Sequence, residues 1–273
     1  MSAPLPAAHL PPAPAVLRLV QELVFGRWRS SGEELYREVA SLTGVKAGQE
    51  VLVVGCGDGT SCEWIARRTG AAVSGVDPDA ERIEAADGRA RERAERGEGL
   101  PLSYQQALYE DLPHETAVFD ATVGEPGLAA AIDPARAVGE LARVTKPMGV
   151  IVLLQLTWSS DLSADARALL VERLGVRPRL VVEWKQMLRD AGVVDLQVQD
   201  WTDAGADATA DEAPQLTWQQ KAQIVARSWR QWGWRGAREA LEREESLLRE
   251  LSRERAIGFQ VIRGVKWPHA KSA

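Results

Sequence analysis

Two kinds of hydrophobic pattern alternate along the chain. Short strands read at Val51–Val54, Ala72–Val76, Leu102–Gln105, Phe119–Val123 and Gly149–Leu156, of which Val51–Val54 is an unbroken apolar run and Gly149–Leu156 is broken only by Gln155. A run with no polar face has nothing to give to water, so it predicts a strand covered on both sides, as in a parallel sheet between helix layers. Between the strands, helical periodicity predicts Thr60–Thr69, Ala80–Arg96 with a densely charged outer face, and Pro134–Val144 with its proline in the first turn. A helix near Glu183–Asp190, a strand Val193–Asp200 and a last strand Gly258–Lys266 follow.

The two ends read differently. Residues 1–14 are rich in Pro and Ala and predict a loose arm. From Ala15 to Leu42 the pattern is helical, and Ser31 with Glu34 has capping-box spacing for a second helix there. Before the last strand come an acidic Gly/Ala linker, Thr202–Gln215, and a long helical stretch, Trp218–Arg255, broken around Trp232–Gly236. The predicted division is an arm over 1–14, an N-terminal helical lid over 15–42 and a core over 43–201. A linker with a Trp-rich helical insertion follows over 202–257, then the last strand and tail over 258–273.

Composition narrows the function classes. At 273 residues and 45% hydrophobic, the chain can fill a core and is not a disordered polymer. A net charge of −6 opposes binding to nucleic acid by phosphate attraction. Cys56 and Cys62 cannot make a disulfide framework, and their spacing without a nearby His makes a poor zinc site, so no metal is expected. They read as two reduced thiols of a cytoplasmic protein. The first residues lack the cationic start of a secretory signal. The longest charge-free apolar stretch, Pro147–Ser160, is too short to span a bilayer.

The chemistry concentrates in Val51-Leu-Val-Val-Gly55-Cys56-Gly57-Asp58-Gly59-Thr60. A buried strand ending in closely spaced glycines lets a ligand approach the backbone, and the next helix offers unpaired N–H groups. Asp77 closes the following strand, where an acid can accept from both ribose hydroxyls of an adenosine. The dinucleotide fingerprint wants a third glycine where Thr60 stands, and Asp58 inside the turn would repel a pyrophosphate but could accept from an ammonium. That combination suits S-adenosyl-L-methionine and disfavours NAD.

With those residues the sequence resembles the class I S-adenosylmethionine-dependent methyltransferases, in the small-molecule branch that includes the quinone-biosynthesis, sterol and arsenite enzymes. The resemblance runs from about Leu42 to Trp201 plus the last strand. V-L-V-V-G-C-G-D-G-T looks like the family's first motif and G-V-D-P its second, which implies cofactor contacts at Gly55, Cys56, Gly57, Asp58, Gly59, Asp77 and Pro78. Gln106-Ala107-Leu108 falls where the family has Asp-Ala against the adenine, with Gln106 in place of the Asp. Phe119-Asp120 through Gly124-Glu125 corresponds to the fourth-strand motif, and Glu140–Gly149 to the helix and turn before strand five, with Met148 where a glycine is common.

Catalytic candidates are few. By family analogy Glu125 and Tyr109 face the cleft, and His114 lies in a loop that reads as solvent-facing. Without a metal cluster, the chemistry rests on holding an already nucleophilic atom in line with the methyl group. Ten of the sixteen aromatics are Trp. Trp218, Trp229 and Trp232, with Trp28 and Tyr36 from the N-terminal helices, are the expected substrate cover, and a homodimer interface is the alternative use of the insertion.

The expected fold is α/β: a Rossmann-like, seven-stranded, mostly parallel sheet with helices on both faces, an N-terminal helical lid and a helical insertion before the last strand. The expected activity is methyl transfer to a small apolar or aromatic molecule. Two alternatives remain. One is a cofactor-binding partner or regulator without transfer. The other is a protein or RNA methyltransferase, disfavoured by the acidic charge and by Gly124-Glu125-Pro126-Gly127 standing in place of an Asn/Asp-Pro-Pro-Tyr type motif.

Overall fold

A computed structural model of the chain describes residues 32–158, 177–201, 218–253 and 257–268, with 164, 167 and 171 between them. Helix α1 (Gly32–Thr43) leads into β1 (Glu50–Val54), α2 (Thr60–Thr69), β2 (Ala72–Asp77), α3 (Ala80–Glu95) and β3 (Leu102–Gln106). There follow β4 (Phe119–Gly124), a 3-10 turn at Pro126–Ala130, α4 (Pro134–Val144) and β5 (Thr145–Trp158). Last come α5 (Val181–Asp190), β6 (Val193–Asp200), α6 (Trp218–Arg253) and β7 (Ile257–Lys266).

The seven strands make one sheet in the order β3-β2-β1-β4-β5-β7-β6. Pairings around β1 and β4 are parallel, and β6 with β7 is antiparallel. Val51 to Val54 are all fully buried, and period-two geometry sends them to opposite faces. Leu52 and Val54 join Ile151, Leu153, Leu141 of α4, and Trp184 and Leu188 of α5 in one apolar cluster. Val53 pairs with Gly75, whose missing side chain leaves room for Cys62 of α2 on the other face. Each such buried aliphatic stabilises the fold by about 1.5–3 kcal/mol, so these strands anchor the sheet in the core.

Local signals set the helix bounds. The Asp79 side chain accepts from the amides of Glu81 and Arg82 at the start of α3, and Asp133 accepts from Arg136 before α4, whose Pro134 needs no donor there. Strand β5 begins four residues earlier than the sequence pattern suggests. Thr145 already pairs with Phe119, and a bulge then carries Met148 at φ 64. Lys-Pro-Met-Gly reads as a turn in sequence but is a distorted strand in the fold.

The sheet with α1 to α5 forms one compact unit, and α6 belongs to another. Helix α6 is broken at Gly233, at φ 67 and ψ −174, within the break expected around Trp232–Gly236. Lys221 and Glu245, one on each side of that break, form an ion pair at 2.7 Å, so the two helical halves fold back on each other. The arm, the first helix of the expected lid, and the linker 202–217 lie outside the described residues.

Candidate functional site

The strand order reverses between β1 and β4, which opens a crevice beyond their carboxyl ends, the usual place for a ligand in an open α/β sheet. The glycine turn closes one side of it. Gly55, Gly57 and Gly59 have φ of 80, 52 and 78, backbone that side chains rarely adopt. The amides of Gly55 and Cys56 both donate to the Val76 carbonyl, at 2.8 and 3.1 Å, which ties the turn to β2. A Cβ on Gly59 would lie 2.5 Å from the Tyr104 hydroxyl, so that glycine also serves packing. Cys56 and Cys62 are free and buried beside the turn.

Asp77 belongs to the turn as much as to its own strand. It is 2% exposed, and its carboxylate accepts from the Gly57 amide and the Asp79 amide, each at 3.0 Å. A carboxylate has about four acceptor sites, so two remain. The Gln106 amide nitrogen donates to the Pro78 carbonyl at 3.0 Å, leaving Oε1 as its acceptor end. The Ala107 amide donates to the Asp77 carbonyl at 3.2 Å, and Leu108 presents an exposed apolar side chain. Asp58 is engaged elsewhere. Its carboxylate takes the Thr60 hydroxyl at 2.9 Å and the Arg89 guanidinium at 3.3 Å.

Across the crevice, the residue after β4 is Glu125. Val54 pairs with Gly124, and the Glu125 amide donates to the Val54 carbonyl at 2.9 Å, so Glu125 sits beside Gly55. The Glu125 Cβ is 3.4 Å from where a Gly55 Cβ would be. Its side chain is buried and Oε1 has no partner. Burial raises its pKa to about 7; a hydrogen bond from Ser61 opposes the rise and the charge of Asp58 adds to it. Tyr36, on α1, has its hydroxyl held in the neutral form chiefly by the charge of Glu125 and then by burial. The Tyr109 hydroxyl borders the same Gly55, and burial raises its pKa too.

Two expected site residues serve other purposes. A Cβ on Gly124 would meet Leu153 at 2.6 Å, so core packing by itself requires a glycine here. His114 packs edge-on against Phe119, ring centroids 5.0 Å apart, at the far end of β4. At about 3.3 Å per strand residue that is roughly 20 Å from Glu125, too far for a shared reaction. Burial and Arg143 lower its pKa.

The sequence reading passed over Gln155. Its amide donates to the carbonyls of Gly124 and Glu125, at 3.4 and 3.0 Å, and fixes the backbone that aims Glu125. The signal was present: Gln155 is the one polar residue in the run Gly149–Leu156. Among the tryptophans, Trp28 lies outside the described residues, Trp218 and Trp229 are 76% and 61% exposed, and Trp232 is half-buried. No cluster of metal-ligating side chains occurs among the described residues, and none of their helices is long and apolar enough to cross a membrane.

Comparison with known proteins points to a methyltransferase domain. Residues 52–153 match the family described as Methyltransferase domain. The chain is 30% identical over 173 residues to the O-methyltransferase resE of Aspergillus sclerotiorum, covering 63% of this chain and 64% of that one. It is 35% identical over 131 residues to a 2-phytyl-1,4-naphtoquinone methyltransferase of Nostoc sp., covering 46% of this chain and 56% of the other. The chain thus spans about half to two thirds of the length of these curated relatives. Among solved structures, the [4+2]-cyclase SpnF superposes with a TM-score of 0.68 at 22% identity, over 89% of this chain and 83% of that one, which shows a shared fold.

Proposed function

We propose that residues 52–153, which match the Methyltransferase domain family, form a class I S-adenosylmethionine-dependent methyltransferase domain, and that the chain transfers a methyl group from S-adenosyl-L-methionine to a small apolar or aromatic acceptor. The observation that carries the proposal is the bond between Asp77 and the Gly57 amide, which makes the acid and the glycine turn one preformed unit.

The residues present fit the cofactor. Asp77 keeps two acceptor sites for the ribose hydroxyls, Gln106 Oε1 can accept from the adenine amino group, and exposed Leu108 can cover the ring. The turn at Gly55–Gly59 supplies the close backbone approach that side chains would block. The Asp58 carboxylate would reach the cofactor's ammonium only by exchanging its bond to Arg89. Bound cofactor supplies an electrophilic methyl group on a sulfonium. The chain's part is to hold an acceptor in line with it at the crevice, and such positioning can provide about 7–11 kcal/mol of the barrier.

The printed names of the O-methyltransferase and naphthoquinone-methyltransferase relatives support a hydroxylated or quinonoid aromatic acceptor. The acidic net charge supports a small molecule over nucleic acid as partner, and two buried free thiols support a reducing, cytoplasmic setting. The exposed indoles of α6 are what a homodimer contact would use, and sedimentation of the purified chain tests that. The function itself is tested by competition titration and by transfer of labelled methyl. S-adenosylhomocysteine should bind at concentrations where NADH does not, because Asp58 stands in the turn and Thr60 replaces the third glycine. Preferred binding of NADH would overturn the assignment.

A further inference from the structure

We propose that Glu125 is the catalytic proton acceptor of this site and that its acceptors are phenol-type hydroxyls, which still carry a proton when they bind. This rests on the methyl-transfer reading above and extends it to the acceptor's chemistry.

Position comes first. Glu125 follows β4 directly, paired by its amide to the last residue of β1, so its side chain starts at the crevice where the strand order reverses. Its backbone is rigid. The Val54 carbonyl takes its amide, and its own carbonyl takes the amides of Leu128 and Gln155. A fold that only needed a turn here could have placed a small or apolar residue. Instead a carboxyl is buried, with Oε1 lacking any partner.

An unpartnered buried carboxyl oxygen costs stability, because it gives up water and gains no hydrogen bond in return. The groups that face it do not relieve that cost. Tyr36 from α1, Asp58 from the turn, and Cys62 with Ser61 from α2 surround it, and Tyr109 borders the adjoining Gly55. None of these is a cation. Burial first, then the charge of Asp58, outweigh the hydrogen bond from Ser61 and keep the carboxyl protonated up to about pH 7, where a general base is most effective.

The transfer balances with this one residue. The acceptor's O–H bond breaks and its proton passes to the Glu125 carboxylate. The hydroxyl oxygen forms the new O–CH3 bond, and the electron pair of the broken S–CH3 bond returns to sulfur. Glu125 then releases its proton to solvent as the neutral thioether and ether leave. An acceptor that is already an anion would not need this step.

That difference supplies the test. Wild type and Glu125→Gln are compared on 1-naphthol, which keeps its proton at neutral pH, and on 2-hydroxy-1,4-naphthoquinone, which is ionised there. S-adenosylhomocysteine affinity is measured by calorimetry, and carbon-13-labelled glutamate is followed by NMR across pH. The expected result is a carboxyl resonance titrating near neutral pH that is missing from Glu125→Gln. With it should come a loss of about 100-fold or more in kcat on 1-naphthol, at most a few-fold on the ionised probe, and S-adenosylhomocysteine affinity within three-fold. Equal losses on both probes, or a carboxyl ionised already at pH 5, would overturn the proposal. So would a tenfold loss of S-adenosylhomocysteine affinity, which would make Glu125 a cofactor ligand. If wild type binds S-adenosylhomocysteine but methylates neither probe, the phenol assignment falls while methyl transfer stands. If it binds no S-adenosylhomocysteine, the underlying reading fails first.

Discussion

Asp77 and Glu125 are both buried carboxyls, and the structure treats them in opposite ways. Two backbone amides meet Asp77, so its oxygens are partnered and acceptor sites remain for the ribose. Asp77→Ala removes those sites and frees the Gly57 amide. Hydrogen bonds to a charged group are worth about 1.5–3 kcal/mol each, so S-adenosylhomocysteine binding should weaken at least tenfold in a variant whose circular dichroism is unchanged. Unchanged affinity would mean that the adenosine lies elsewhere. Glu125 has its folded-state pKa raised from 4.5 to about 7. Its folded form therefore keeps a proton that the unfolded chain releases from about pH 4.5 upward, so stability is complete below 4.5 and declines until about pH 7. The decline is on the order of 3 kcal/mol at 1.36 kcal/mol per pKa unit. Glu125→Gln, which cannot ionise, should lack this slope. Its Tm relative to wild type should rise between pH 5 and 8, whereas parallel Tm curves would show that the carboxyl is not held neutral.

At the level of elements, the two central strands β1 and β5 were most legible, because burial on both faces writes itself as apolar sequence with little or no polar interruption. Val51–Val54 needed no other signal. Helix bounds were legible where a cap or proline marked them, as at Pro134–Val144. What stayed hidden depends on contacts between distant residues. The start of β5 at Thr145 is set by pairing with Phe119, against a local sequence that favours a turn. The packing duty of Gly124 is set by Leu153, one strand away, and the removal of His114 from the site is set by the length of β4. Orphaned Glu125 Oε1 is likewise a property of neighbours from α1, the turn and α2, which no single segment announces. The break in α6 was legible, and it rests on one residue. Gly233 adopts φ 67 and ψ −174, backbone open in practice only to glycine, with nothing within 4 Å of where a Cβ would stand. Gly233→Ala therefore costs backbone strain alone, about 1–3 kcal/mol. The variant should unfold earlier in calorimetry or lose the Lys221–Glu245 pairing as the break straightens. A variant as stable as wild type with the hairpin intact would contradict the strain argument.

For the whole molecule, every residue proposed to hold the cofactor lies within the sheet unit. The turn at Gly55–Gly59, Asp77, and Gln106 to Leu108 all fall between residues 30 and 157, while α6 belongs to the other compact unit. A ligand that binds only the native form of one unit stabilises that unit by mass action. At a hundred times its dissociation constant the gain is about 2.7 kcal/mol. For a unit of this size, each kcal/mol moves Tm by roughly 2–4 °C, so saturating S-adenosylhomocysteine should raise its melting temperature by roughly 5–10 °C. Gly233→Ala supplies the contrast, because its strain acts on α6 and leaves the cofactor residues in place. In calorimetry the ligand should shift the wild-type and Gly233→Ala sheet transitions by equal amounts, whether or not α6 melts earlier in the variant. If the ligand-induced shift shrinks by half or more in Gly233→Ala, then cofactor binding depends on α6, and the site is not contained in the sheet unit.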